Sequence, residues 1–293
     1  MNENLTELVF LLDRSGSMQG LERDVIGGFN SLITKQKNEK GIAKVTTVLF
    51  DDDYEMLYSR KNLTEVKDMS VKEYYVRGST ALLDAIGKSI NDIGKQLSDT
   101  PESERPSKVL FVITTDGYEN ASKEYTVEQV KTLITQQKEV YNWEFLFLGA
   151  NIDAIKTACS FGISNDRASN FVADEQGVNV CMNGVGSAIS SLRRGKKIEC
   201  WKEEISKDYN KRSKNPLDQV IQIPTDPVKR NMKIRNINHT TLNSIKSNRN
   251  SSNDENSVNS TSNESEYEDK YSILIERDDI ADIIVGDKSK NNK

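Results

Sequence analysis

Short runs of uninterrupted apolar residues, separated by stretches whose apolar residues recur at helical spacing, constrain this chain more than any other feature. "LVFLL" (8–12), "KVLFVIT" (108–114) and "WEFLFLGA" (143–150) are apolar at nearly every position, which suits strands buried on both faces. Between and after them Leu21, Val25, Phe29 and Leu32, then Leu82, Ile86, Ile90, Ile93 and Leu97, then Val130, Leu133 and Ile134 mark helix stripes. "KVTTVLF" and "YEMLYS" flank "DDD" as the arms of a hairpin. Thr126 and Gln129 form a capping box for the third helix, and Thr80 is a candidate N-cap for a helix over 81–97. "NFVA" predicts a weaker last strand, followed by a helix through Val178, Val185, Ile189 and Leu192. The alternation predicts an α/β fold over about residues 5–195: a doubly wound, mostly parallel sheet with helices on both faces.

Sheets of this kind bind ligands beyond the carboxyl ends of their strands. Three polar stretches fall there: Asp13, Ser15 and Ser17 in "VFLLDRSGSM", Gly78–Thr80 in "VRGSTALLDAIG", and Asp116–Asn120 in "VITTDGYEN". Together they offer carboxylates and hydroxyls, the hard oxygen ligands that Mg²⁺ or Mn²⁺ prefers. Two carboxylates balance a divalent cation, neutral hydroxyls add ligands without adding charge, and one position is left for water or an outside acid. Around them Asp84 is either a group that orients a ligand or a solvent-facing helix acid. Glu119 and Asn120 either rim a partner surface or complete a turn. Asn151 is expected to cap the helix after "WEFLFLGA". Asp51–Asp53 lack the glycine and distal Glu of a calcium loop and read as a hairpin turn.

The three stretches resemble, in order, the metal-ion-dependent adhesion site (MIDAS) of von Willebrand factor A domains. "DRSGSM" has the form D-x-S-x-S, "GST" matches the threonine loop and "TTDG" the second aspartate loop. The resemblance implies that Asp13 and Asp116 supply carboxylates and Ser15, Ser17 and Thr80 hydroxyls to one Mg²⁺ or Mn²⁺, directly or through water. It also implies a protein partner whose Asp or Glu completes the coordination. The expected function is a non-catalytic, intracellular, metal-dependent protein-binding module. The alternative is a phosphatase-like hydrolase using the same cation as a Lewis acid. Catalytic parts for it are missing. The single His239 is remote, no spare acid is paired with the site, and "IGKSI" lacks the first glycine of a phosphate-binding loop, Leu82 standing in its place.

Composition sets the remaining expectations. The hydrophobic share of 35% is low because apolar residues thin out beyond about residue 200. A basic helical extension is expected over 196–206, its charges on a solvated face, then a disordered low-complexity linker over 207–270. Residues 271–286, "YSILIERDDIADIIVG", return to an apolar and acidic pattern. They are read as an added strand, a docking peptide, part of a polar tail, or an internal acidic ligand for the metal site. The net charge of −5 gives no lean towards nucleic acid. No leader pattern or membrane-spanning run is evident, and Cys159, Cys181 and Cys200 have no framework spacing. Reduced, buried thiols in a cytoplasmic protein are the expectation.

Overall fold

The computed structural model describes residues 1–213. The six strands are β1 (Asn2–Asp13), β2 (Ile42–Phe50), β3 (Tyr54–Asn62), β4 (Pro106–Thr115), β5 (Glu144–Gly149) and β6 (Ala168–Asn170). The helices are α1 (Glu22–Lys37), α2 (Leu82–Ser98), α3 (Val127–Tyr141), α4 (Ala154–Ser160), α5 (Glu175–Arg193) and α6 (Glu203–Arg212). The strands form one sheet in the order β3-β2-β1-β4-β5-β6. Only β3 runs antiparallel, hairpinned onto β2. The expected α/β class, mostly parallel and wound on both faces, is the one the chain adopts.

The unbroken apolar runs have their reason in the two faces. Successive side chains of a strand point to opposite sides. In β1, Leu8, Phe10 and Leu12 enter a core with α1, α5 and α6, while Val9 and Leu11 enter another with α2, α3 and α4. Phe10 meets Phe29 of α1 edge to face, with ring centres 5.4 Å apart. On the other side Phe111 stacks on Phe145 and Trp143. β1 pairs with both β2 and β4, so Asp13, opposite Phe50, and Asp116, just past Thr115, come out at the same edge of the sheet.

Several local expectations change. The last strand is Ala168–Asn170, and "NFVA" overlaps it only at Asn170, because the chain turns at Val172–Asp174 for Asp174 to cap α5. Asn151 takes a left-handed turn, φ 55°, and Asp153 caps α4 instead through the amide of Lys156. The expected helical extension over 196–206 is helical only from Glu203, where α6 begins; residues 196–202 form no helix, and Ile198, Trp201 and Ile205 are buried in the α1/α5 core. Just before this segment, Arg193 at the end of α5 donates to the carbonyls of Gln36 and Gly41 and closes the end of α1. Cys181 is buried, but Cys159 and Cys200 are exposed. The expectations for 214–270 and 271–286 lie outside the described residues. Among the described residues no helix is long and apolar enough to cross a membrane.

Candidate metal centre

β1 ends in the middle of the sheet, so Asp13 leaves it where neither face is open to water, and its carboxylate is fully buried. Oδ1 accepts the amide of Ser15 at 2.7 Å and Oδ2 the hydroxyl of Thr115 at 2.6 Å. The Tyr74 hydroxyl donates to the Asp13 carbonyl, fixing the backbone at the same residue. Ser15 and Ser17 bring their hydroxyl oxygens to 3.1 Å of each other. From the second stretch Thr80 donates to Ser15 Oγ at 3.0 Å. From the third, Asp116 Oδ1 accepts from Ser17 at 2.5 Å. Asp13, Ser15, Ser17, Thr80 and Asp116 therefore form one continuous cluster drawn from three loops. Gly117 covers it closely: a Cβ there would lie 3.0 Å from Ser17 Oγ and 3.2 Å from Thr80 Oγ1.

Burial penalises both acids. It pushes the Asp13 carboxyl up to about 6, against the hydrogen bonds from Thr115 and Ser15, and the charge of Asp116 adds to the rise. Burial also raises Asp116, whose Oδ2 is enclosed without a hydrogen-bond partner. Buried acids of like charge, a free carboxylate oxygen and three hydroxyls with spare lone pairs fit a small hard cation. Among the described residues no three His, Cys, Asp or Glu side chains cluster as metal ligands. A cation here therefore depends on hydroxyl oxygens as well as on the two acids.

The neighbouring residues have defined roles. Thr80 does not cap α2, which begins after Ala81 without a cap from its own sequence. The first amides of that helix are taken by the third loop, Leu83 by Glu119 Oε2 (2.8 Å) and Asp84 by Ser122 Oγ (3.1 Å). In return Asp84 accepts the amides of Lys123, Glu124 and Tyr125, each at 2.9 Å. Both acids thus tie α2 to the Asp116 loop. Asn120 joins the threonine loop from the same side, accepting Thr80 N through Oδ1 and donating its own amide to Thr80 O. Thr115 was missed although it stands next to Asp116 in "TTDG", and nothing along the chain signals Tyr74, which lies in an irregular stretch with no periodicity to read.

No family model matches the chain, and no curated protein matches it. Among solved structures it is similar to proximal thread matrix protein 1 from the mussel byssus with a zinc-occupied MIDAS motif. The identity is 15%, over 63% of this chain and 46% of that one, with a TM-score of 0.43. It is also similar to the manganese-loaded TRAP protein of Plasmodium vivax (18% identity, 61% of this chain and 73% of that one, TM-score 0.44). A third is the ArnB paralog VWA2 from Sulfolobus acidocaldarius (16% identity, 65% and 45%, TM-score 0.38). The chain spans less than half the length of the mussel protein and of VWA2.

Proposed function

We propose that this domain is a von Willebrand factor A-like module that binds a protein partner through one Mg²⁺ or Mn²⁺ held by Asp13, Ser15, Ser17, Thr80 and Asp116. The observation that carries the reading is the cluster itself. Three loops far apart in sequence place two buried acids and three hydroxyls in one hydrogen-bonded group, with Asp116 Oδ2 unpartnered. When bound, the cation supplies a positive centre that accepts an oxygen ligand from outside. The residues of this chain do the rest. Asp13 and Asp116 balance its charge, and Thr115 and Tyr74 hold Asp13 in place. Gly117, having no Cβ, approaches the Ser17 and Thr80 hydroxyls without displacing them. The partner group of matching chemistry is an Asp or Glu side chain, and the proposed setting is the cytoplasm.

A hydrolase reading has less support. No histidine stands among residues 1–213, and the nearby acids Asp84 and Glu119 are spent on backbone amides. Neither is free to move a proton to or from a reacting group.

Titration of Mg²⁺ or Mn²⁺ into the wild type should raise its melting temperature, with no rise in Asp13→Ala. Equal stabilisation of the two proteins would remove the assignment. For the partner, affinity purification with and without EDTA should recover proteins that Asp13→Ala fails to retain. Phosphatase turnover that requires Mg²⁺ and disappears in Asp13→Asn would favour the hydrolase instead.

A further inference from the structure

The hairpin aspartates form a clamp. Asp51, buried at the β2–β3 turn, accepts Arg14 Nε (2.8 Å) and Arg77 Nε (2.7 Å) on the same oxygen, Oδ2. Its Oδ1 accepts the amide of Asp53 at 2.7 Å, and its carbonyl accepts the amide of Ala81 at 3.0 Å. Arg14 lies between Asp13 and Ser15, and Arg77 stands immediately before Gly78–Thr80. One carboxylate therefore joins the first metal loop to the threonine loop.

Backbone bonds run the same way: Arg14 N to Phe50 O, Arg77 N to Arg14 O, and Gly16 N to Gly78 O. Asp52 Oδ1 accepts the amide of Ser79 at 3.0 Å. Gly78 has φ +67°, a conformation that favours glycine, and a Cβ there would meet Asp52 Oδ2 at 2.6 Å, so any other residue would be strained and would displace the Asp52 side chain. The Tyr75 ring lies beside both guanidiniums, 5.3 Å from that of Arg14 and 5.7 Å from that of Arg77. Residues 76–81 have no helix or strand of their own. The position of Thr80 thus depends on these contacts and on Asn120.

We infer that Asp51 is a positioning residue for the metal centre, acting through Arg14 and Arg77 to set Thr80 against Ser15, so that cation affinity depends on a carboxylate that never touches the cation. The inference rests on the metal reading above. Its physical basis is that groups orienting metal ligands commonly govern affinity by about 10–100-fold.

Asp51→Asn leaves the buried Arg14 with only Glu55, also 2.8 Å away, as a counter-charge and is a poor test alone, because loss of folding would mimic loss of binding. Arg77 is 41% exposed, so Arg77→Ala removes the link to the threonine loop with little burial lost. Arg194→Ala breaks an ion pair of a 56% exposed arginine with Glu39, between the ends of α5 and α1, and serves as control. The full chain of each variant is titrated with Mn²⁺ by calorimetry, and the metal-free melting temperature is measured alongside. The expected result is Mn²⁺ affinity lower by about tenfold or more in Arg77→Ala, unchanged in Arg194→Ala, with similar metal-free melting temperatures for the two. Arg77→Lys, which keeps the charge but not the fork that reaches Asp51 and Asp53, should recover only part of the loss. Wild-type affinity in Arg77→Ala would overturn the inference. Absence of Mn²⁺ binding by the wild type would overturn the metal reading itself.

Discussion

Thr80 illustrates how much of the site lies in single atoms. Its amide and carbonyl are held by Asn120, and its hydroxyl alone reaches Ser15. Backbone placement and ligand chemistry are therefore separable. Thr80→Ser should bind Mn²⁺ close to wild type, and Thr80→Ala about tenfold more weakly, a difference of about 1.4 kcal/mol. Calorimetric titration of both variants checks this, and equal affinities would show that the hydroxyl does not take part. The thiols also separate by position. Burial raises the Cys181 thiol far above its usual range, whereas Cys159 and Cys200 are exposed. Iodoacetamide applied to the native chain should label Cys159 and Cys200 and leave Cys181 unmodified until denaturant is added, as peptide mass mapping would report.

At the level of elements, α2 is the clearest case of a helix completed from elsewhere. Its apolar face, Leu82, Ile86, Ile90 and Ile93, packs on the sheet, but its first amides find their acceptors on Glu119 and Ser122. A helix start needs such partners for its orphan N–H groups. Glu119 further accepts the amides of Ala121 and Ser122, so one carboxylate serves both the helix and the Asp116 loop. Glu119→Ala should lower unfolding stability by about 1–3 kcal/mol. Urea denaturation monitored by tryptophan fluorescence checks it, and a change within error would mean that water replaces the side chain at no cost. By comparison α3 is self-contained, with Thr126 and Gln129 supplying the capping box expected from their spacing.

For the molecule as a whole, the sheet order puts β1 and β4 side by side at the centre, so the loops that follow them meet by construction. The core on the α1/α5 side is completed late in the chain. Gly184 lets α5 come close to the segment beyond it, since a Cβ there would lie 2.6 Å from the Trp201 carbonyl. Ile198, Trp201 and Ile205 then fill the α1/α5 side. Each such side chain contributes about 1.5–3 kcal/mol on burial. A chain ending at Gly195 should therefore unfold at much lower urea than one ending at Ser213. Limited proteolysis of the full chain should leave a fragment extending past Trp201. A stable fragment ending near Gly195 would show that α6 is an appendage.

Hydrophobic period is a local property, so it was enough to place β1, β2, β4, β5 and the main helices and to predict a sheet covered on both faces. The three polar loops of the candidate site were legible for a related reason: Asp, Ser and Thr that interrupt apolar runs or precede a helix stripe are visible as a chemical pattern in consecutive residues. Helix caps were less legible, because α2 and α4 take their first-turn acceptors from residues that compete for the same amides: Glu119 in place of Thr80, Asp153 in place of Asn151. The packing of 196–206 was not legible because charge dominates its composition, while Ile198, Trp201 and Ile205 decide where it packs. Only the tertiary structure decided what stands behind the site. Asp51 meets Arg14 and Arg77 across 37 and 26 residues, and Tyr74 meets Asp13 across 61. Such contacts follow from the parallel crossovers of the sheet, and no periodicity or spacing along the chain encodes them.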